Sequence, residues 1–346
     1  MPKRRRRSRV PTPAWEREHG AIGSQLLSRS AQFYATAGVI ALVLAALILV
    51  GFGVGKKWID DRNRPGSTAV QVEDTKYSVS YYTERLRQFI QQIGGASSQI
   101  GQQPQLALGA VSDQLIEEAI VLRFAQEKGQ AATDDEVKAQ IATLLSIKPD
   151  AADFDARLQE ELQRTKSSES QYRDMARAAA LKKKLQGQFT AEIPAVAESI
   201  HYRQIAVADR TTADAIKKQI EGGADFAQVA AEKSTAQGAK DNGGDAGWAP
   251  RGALDQDLEN ALFALQPGQL TTFASQSNFY VYQVLEKQAD RPVEDSQKSN
   301  VSSHAYQKWL DGKKATVNIV DHMNPIGKEP DAKKIQYAVS RVQQAT

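Results

Sequence analysis

Residues 242–271 read NGGDAGWAPRGALDQDLENALFALQPGQLT, and this stretch decides the fold of the second half of the chain. Its apolar residues recur at helical spacing, which predicts a helix with one apolar face. Those residues are Leu254, Leu258, Ala261, Leu262 and Leu265. Pro267 and Gly268 then suit a type II turn. The earlier glycine pair is not followed by Lys and Ser or Thr, so it predicts a turn and no phosphate-binding loop.

The segments on either side of this stretch complete a small α+β domain, predicted over residues 194–290. The runs HYRQIAV at 201–207 and FYVYQVL at 279–285 are rich in β-branched and aromatic residues and predict strands. Between them, residues 212–221 fit a helix, and Asp225 can cap a second one. The order strand, helices, strand indicates a compact domain of about 90 residues.

The region before this domain, residues 69–193, is predicted to be a mainly helical module. Its helices are predicted to begin at Ser80, Ser112, Thr133 and Ser168. The last two have Glu or Gln three residues later, which is the spacing of a capping box. Residues 94–110 are predicted to form a loop. The module is either a plain helical bundle or a bundle with a concave apolar surface for extended polypeptide.

Residues 31–55 predict a transmembrane helix. No charged residue stands between Arg29 and Lys56, and roughly 20 apolar residues are enough to cross a bilayer core. Residues 1–30 hold eight Lys or Arg and two acidic residues, whereas the rest of the chain has a net charge of −3. The positive-inside rule therefore places 1–30 in the cytoplasm and everything beyond a polar linker, 56–68, outside the cell. A cleaved signal peptide is the alternative, although its apolar region is normally shorter.

Composition excludes several classes of chemistry. The chain has 346 residues and no cysteine, so disulfides, thiol nucleophiles and a lipidated cysteine are absent. Its four histidines are scattered and no HExxH motif occurs, so we expect no metal and no cofactor. The run KRRRR near the N-terminus could bind nucleic acid, and a tethered nucleic-acid binder is one alternative. The acidic body offers no supporting basic stripe, so we expect no specific nucleic-acid partner.

Four runs in the second half resemble, in order and spacing, a parvulin-type peptidyl-prolyl isomerase domain over residues 200–287. They are YRQIAV, GGADFAQVAAEKS, the stretch quoted above and SNFYVYQVLEK. The flanking helical segments resemble the chaperone module of the SurA/PrsA foldases. The resemblance implies an α+β protein with an N-terminal transmembrane helix, a mainly helical SurA-N-like chaperone module and an inserted parvulin-like domain. In that family a C-terminal segment, here 295–321, completes the module, which leaves 322–346 as a polar tail with a short helix around 335–342.

The resemblance also assigns site residues. The family's catalytic positions fall on Gln204, Ser277 and Tyr280, and two of its histidines are replaced by Gln204 and Tyr280. The substrate-binding positions fall on Leu254, Leu258, Ala246, Ala236 and Phe263. Ala236 stands where the family has an acidic or thiol residue. Each of these residues also has a structural interpretation as an ordinary core, turn or sheet residue. His201 cannot replace a missing histidine, because strand alternation turns it to the other face from Gln204.

Prolyl isomerisation breaks no covalent bond but crosses a barrier of roughly 18–20 kcal/mol. A pocket lowers this barrier when it grips the proline ring and favours the twisted amide, which requires neither metal nor cofactor. The resemblance implies a membrane-anchored, extracytoplasmic foldase with weak isomerase activity. Its partners would be unfolded or secreted client polypeptides with X–Pro bonds, and the lipid bilayer through residues 31–55. The alternative function is a non-enzymatic holdase chaperone with a degenerate parvulin domain.

Overall fold

The structure is a computed structural model that describes residues 61–95, 98–165, 167–275 and 278–344. The chain divides into two compact units, Met1–Pro65 and Gly66–Thr346. The basic tail and the transmembrane helix predicted over residues 1–30 and 31–55 lie outside the described residues. Within the described ranges, no helix is both long enough and apolar enough to span a bilayer.

The second unit begins with a helical module that contains a hairpin and a series of helices. The hairpin strands are β1 (Thr68–Val72) and β2 (Thr75–Ser78). The helices are α1 (Val79–Gln92), α2 (Gln99–Gln102), α3 (Leu108–Phe124), α4 (Asp134–Leu144), α5 (Phe154–Thr165) and α6 (Glu169–Ala191). Two 3-10 turns, Pro104–Ala107 and Ala125–Lys128, flank α3.

The predicted capping boxes at the starts of α4 and α6 are confirmed. Thr133 Oγ1 accepts the Glu136 N–H at 3.2 Å, and Glu136 Oε2 accepts the Thr133 N–H at 2.8 Å. The same reciprocal pair joins Ser168 and Gln171. Each box satisfies two backbone donors that a helix start would otherwise leave unpaired.

The other two predicted helix starts are wrong. Ser78, and not Ser80, caps α1, because β2 ends at Ser78 and its Oγ accepts the Tyr81 N–H at 3.2 Å. Helix α3 begins at Leu108, and α2 and the 3-10 turn Pro104–Ala107 also lie within residues 94–110, so the prediction of a loop there is wrong as well. Leu108 is completely buried, and Ser112 is completely buried one turn further along the helix. Burial of the first turn extends this helix beyond the polar residue that we expected to start it.

An inserted domain follows, built as an antiparallel sheet with helices on both faces. Its elements are β3 (Val196–Val207), α7 (Arg210–Glu221), α8 (Phe226–Lys233), α9 (Ala239–Asn242), β4 (Asp245–Pro250), α10 (Gln256–Ala264), β5 (Leu270–Ala274) and β6 (Phe279–Pro292). The strand order is β4-β3-β6-β5. Alternate residues of the central strands face opposite layers. Ile205 and Val281 pack with α7 and α8, while Ile200 and Tyr282 pack with α10.

The chain then returns to the helical module through α11 (Asp295–Lys314), β7 (Ile319–Asp321) and α12 (Ala332–Gln343). Strand β7 pairs antiparallel with β1, giving a three-stranded sheet of order β2-β1-β7. Helix α12 buries Ala338 and Val342 completely in the core that also contains α1 and α3. The segment 322–346, which the sequence analysis treated as a polar tail, therefore contributes a core helix. Its few apolar residues share one helical face, and their partners lie in a part of the chain distant in sequence.

The main core of the helical module surrounds α3. Leu115 and Ile120 on α3 are completely inaccessible and share a cluster with Leu86 of α1 and Leu185 of α6. A separate apolar cluster joins α4, α5 and α6 around Ile141. The long helix α6 thus borders both clusters, and it is the element that holds the two parts of the module together.

Candidate active site of the inserted domain

The two central strands bring the residues predicted at the family's histidine positions onto one face of the sheet. Gln204 on β3 lies opposite Tyr282 on β6, and Tyr280 lies opposite Ala206, two positions further along β3. Because side chains alternate, Gln204 and Tyr280 point to the same face as Tyr282. Both side chains are partly exposed, and neither forms a hydrogen bond to another residue among those described. They are available to a ligand.

Three tyrosines line this face. The rings of Tyr280 and Tyr282 stack with centroids 5.5 Å apart, and the Tyr202 ring lies 5.9 Å from that of Tyr282. Burial, followed by the neighbouring Tyr202 and Tyr280, raises the pKa of Tyr282 above its usual value, and burial also raises the pKa of Tyr202. Both hydroxyls therefore stay protonated at neutral pH and act as neutral hydrogen-bonding groups.

An apolar wall stands beside the tyrosines. Leu254, Leu258 and Tyr280 pack against a buried cluster that includes Phe263 and Tyr282. Phe263 is only 6% exposed, so it supports the wall from behind, whereas Leu254 and Leu258 are half-exposed and can touch a ligand. Of the predicted site, the structure thus places Tyr280 and the two leucines in one cluster, with Gln204 on the same face of the sheet.

Glu259 holds the loop that carries Leu254. Its Oε2 accepts the Gly252 N–H at 2.5 Å, and the carboxylate is buried to 8% exposure. Gly252 has a φ of +88°, a left-handed conformation that a side chain would strain. Glu259 was not among the predicted site residues, although an acidic residue on the apolar side of a predicted helix is a recognisable signal.

The glycine pair at 243–244 lets two segments approach closely. A Cβ on Gly244 would lie 2.5 Å from the backbone oxygen of Gln204, and Gly244 has a φ of +80°. The Gly244 oxygen in turn accepts the Gln204 N–H at 2.8 Å. Glycine is therefore needed at 244 so that the backbone of Gln204 can lie this close. The sequence pattern predicted a turn at the glycine pair but not this close approach.

Three predicted site residues do not join this group. Ala246 is exposed at a bulge, where β4 pairs Gly247 with Tyr202 and Asp245 with Arg203, so it is separate from the apolar wall. Ala236 lies in the loop after α8, where its N–H donates to Ser234 Oγ at 3.2 Å and its methyl group offers no polar contact. Ser277 lies outside the described residues.

His201 occupies the opposite side of the sheet from Gln204. Its Nε2 lies 2.8 Å from Asp245 Oδ1, and its ring stacks on Trp248 with centroids 5.2 Å apart. This partnership keeps His201 away from the tyrosine face. Among the described residues, no group of three or more His, Cys, Asp or Glu side chains is placed to hold a metal ion.

A separate cleft lies in the helical module. It has a volume of about 500 Å³ and is bordered by α1, α3, α5 and α6. Apolar side chains such as Phe89 and Met175 alternate in it with charged residues that pair with one another, as Lys182 Nζ does with Glu117 Oε1 at 2.8 Å. The sequence analysis offered a concave apolar surface for extended polypeptide as one alternative. The cleft is concave, but its lining is a mixture of polar and apolar side chains.

The antiparallel sheet with helices on both faces, the glycine pair and the apolar wall define an inserted domain of the parvulin class. A family model for the PPIC-type PPIase domain matches residues 195–288, and one for the SurA-like N-terminal domain matches residues 26–186. The chain therefore combines a PPIC-type parvulin domain with a SurA-like N-terminal domain, and its homologues include PrsA foldases.

Two curated relatives illustrate the range of similarity. The foldase protein PrsA of Exiguobacterium sibiricum is 31% identical over 148 residues, which are 40% of this chain and 47% of that protein. The foldase protein PrsA of a Geobacillus strain is 30% identical over 113 residues, or 32% and 41% of the two chains. The match thus spans less than half the length of either relative. The crystal structure of peptidylprolyl isomerase PrsA from Bacillus anthracis aligns at 20% identity with a TM-score of 0.41, covering 60% of this chain and 98% of that one.

Proposed function

We propose that this chain is a membrane-anchored, extracytoplasmic foldase that binds unfolded polypeptide and catalyses the cis–trans isomerisation of X–Pro bonds. The observation that carries the proposal is the meeting of two unpaired polar side chains, Gln204 and Tyr280, with the half-exposed apolar side chains of Leu254 and Leu258. An apolar site with a few placed polar groups is what recognition of a proline ring and its amide requires.

The proposed mechanism is differential binding of the twisted amide. The two leucines hold the proline ring, while the Gln204 amide and the Tyr280 hydroxyl hydrogen-bond the carbonyl and the nitrogen, which loses conjugation as the bond rotates. These groups are neutral, so they stabilise a developing charge less than ionised groups would. Weak activity follows from this.

The anchor and the location are supported by the sequence. Residues 31–55 hold no charge and are long enough to cross a bilayer, and the basic segment 1–30 precedes them. The charge asymmetry puts the helical module and the inserted domain outside the cytoplasm. Unfolded or secreted clients with X–Pro bonds are then the partners, and the lipid bilayer is the second partner.

A holdase without isomerase activity is the second candidate function. It is favoured by the replacement of three polar family positions with Gln204, Tyr280 and Ala236, which supply none of the family's histidine, acidic or thiol groups. The cleft of about 500 Å³ in the helical module offers a client a mixed polar and apolar surface whatever the inserted domain does. In this function the inserted domain would serve as a peptide-binding or spacing element.

Two assays on the purified full-length chain separate these functions. One measures the rate of cis–trans exchange in an Ala-Ala-Pro-Phe peptide, and the other measures the delay in aggregation of an unfolded client. Leu258→Asp places a charge in the proposed proline pocket, so a foldase loses peptide isomerisation and keeps most of its client holding. Leu270→Asp is the matched control, because Leu270 packs on the opposite face of the sheet. A wild-type chain that delays aggregation without accelerating exchange would establish the holdase instead.

The absence of cysteine makes the proposed topology directly testable. Ser8→Cys reports on the basic segment, and Ser296→Cys reports on an exposed position of α11. A membrane-impermeant maleimide applied to intact bacterial spheroplasts should label the second variant and leave the first unlabelled until the membrane is broken. Labelling in the reverse order would refute extracytoplasmic placement.

A further inference from the structure

Helix α11 has two contact faces, and each serves a different part of the molecule. One face is formed by residues spaced by four, three and four positions, so that they lie in a single stripe along the helix. They are Gln297, Val301, His304 and Lys308. This stripe runs along β4, the loop of residues 251–255 (the wall loop, which carries Leu254) and the first residue of α10.

The four residues of the stripe contact this segment in order along the chain, from Trp248 to Gln256. Gln297 Nε2 donates to the Trp248 carbonyl oxygen at 2.8 Å. Val301 packs against the apolar cluster of the candidate site, and a Cβ on Gly252 would lie 3.3 Å from its Cγ1. The last two contacts are polar: His304 Nε2 lies 3.3 Å from Asp255 Oδ1, and Lys308 Nζ donates to Gln256 Oε1 at 3.1 Å.

The opposite face of α11 is fixed in the helical module. Ser302 Oγ donates to the Gln186 carbonyl oxygen at 3.1 Å, and the Tyr306 hydroxyl donates to Glu117 Oε1 at 2.5 Å. Leu310 is 3% exposed in the main core of the module. These contacts make α11 a rigid support, because its buried face cannot move without disturbing that core.

The wall loop is anchored to β3 at its first residue, where the Arg251 N–H donates to the Glu198 oxygen at 2.9 Å and Arg251 Nε donates to Glu198 Oε2 at 2.6 Å. Its backbone is held within the inserted domain by the bond from Gly252 to Glu259 and by the Ala253 N–H, which donates to the Pro250 oxygen at 3.0 Å. Leu254 remains half-exposed. Val301 adds an apolar contact to this loop from outside the domain, at Gly252 and at the cluster on which Leu254 packs.

We infer that Val301, together with Gln297 and His304, positions the proline-binding wall, so that the site reaches its working geometry only when the inserted domain is seated on α11. The inference rests on the proposed function for its catalytic consequence. Val301 is a positioning residue in this account, since it acts through the wall loop and the cluster behind Leu258, both of which it touches.

The test compares two truncations on α11 in the full-length chain. Val301→Ala removes the contact with the wall loop, and Leu310→Ala removes a buried contact on the opposite face. We expect Val301→Ala to raise KM and the dissociation constant for the Ala-Ala-Pro-Phe peptide about threefold to tenfold, where tenfold corresponds to 1.4 kcal/mol, and to change kcat less. Leu310→Ala should lower the unfolding midpoint while KM stays within about twofold of the wild type. Val301→Ile, which keeps the contact, should restore the wild-type KM.

A second measurement does not depend on catalysis. Amide hydrogen exchange of residues 252–256 should become faster in Val301→Ala and stay at the wild-type rate in Leu310→Ala, beyond any change shared by the whole chain. Unchanged exchange in Val301→Ala, or an equal effect of both truncations on KM, would overturn the positioning role. A wild-type chain without isomerase activity would refute the proposed function, while exchange and peptide affinity would still decide the role of Val301.

Discussion

Removing the Glu118 carboxylate should destabilise the helical module strongly. Glu118 on α3 forms a two-pronged ion pair with Arg85 on α1, with Nη1–Oε2 at 2.9 Å and Nη2–Oε1 at 2.5 Å. The side chains are only 10% and 17% exposed, and Arg85 Nη1 also donates to the Tyr81 hydroxyl at 3.1 Å. The pair therefore joins two helices at a largely buried site that borders the 500 Å³ cleft.

The expected size of the effect follows from this burial. Breaking a buried pair by removing one partner costs roughly 3–5 kcal/mol, because the other charge stays buried without its partner. We expect Glu118→Ala to fall near the lower end, since the cleft gives water some access to Arg85. Glu118→Gln keeps one acceptor and should cost less. Replacing both residues, Arg85→Met with Glu118→Leu, should recover most of the loss because no charge remains buried.

The assay is urea unfolding of the full-length chain at neutral pH, followed by the fluorescence of Trp309 in a background where the other tryptophans, Trp15, Trp58 and Trp248, are replaced by Phe. Trp309 lies in the helical module, with its ring 6.4 Å from that of Phe189. Asp174→Ala is the control, because it breaks the ion pair with Arg177 between side chains that are 54% and 37% exposed. Such a pair contributes about 0.2–1 kcal/mol. If Glu118→Ala lowers the free energy of unfolding no more than Asp174→Ala does, the conclusion that the Arg85–Glu118 pair stabilises the helical module is wrong.

Three further changes test the site, the C-terminal helix and a helix start. Gln204→His with Tyr280→His restores the family's residues, and should raise kcat/KM for the proline peptide about tenfold, or 1.4 kcal/mol; an unchanged rate would show that the neutral groups suffice. Deleting residues 332–346 removes the two buried side chains of α12, and calorimetry should show a melting temperature about 10 °C lower. A hydrogen bond from Lys184, then one from the Thr133 backbone, holds the pKa of Glu136 below its usual value. Stability from Glu136 is thus present above the usual carboxyl pKa and is lost as pH falls through the lowered pKa, so Lys184→Met should flatten the acid side of the stability curve.

Local patterns predicted the parts of the fold that depend on neighbouring residues. The capping boxes at Thr133 and Ser168 are properties of four consecutive residues, and both are present in the structure. Strand alternation placed His201 on the opposite face of β3 from Gln204. These features need no information from distant parts of the chain, so the sequence is sufficient to predict them.

Features that depend on distant partners were missed. Ser112 has the chemistry of a helix start, yet it is buried inside α3 because the core covers the turn before it. The polar segment after residue 321 gives little sign of a core helix, since its apolar face is matched only by α1 and the turn after α2. The role of α11 in supporting the wall loop, and the pairing of charges in the cleft, likewise require the tertiary arrangement.

The pairing of β1 with β7 fixes an order of events during synthesis. Val72 pairs with Ile319, so β1, which pairs with β2 on its other side, gains this second partner strand only after almost 250 further residues have been synthesised. All four strands of the sheet in the inserted domain come from one continuous segment, so this sheet can form during translation. We therefore expect the inserted domain to fold before the helical module is complete. A nascent chain arrested before residue 319 would carry a folded inserted domain and a helical module whose apolar core is still partly exposed. We expect proteases to degrade such arrested chains faster than the complete protein, because the helical module is not yet folded.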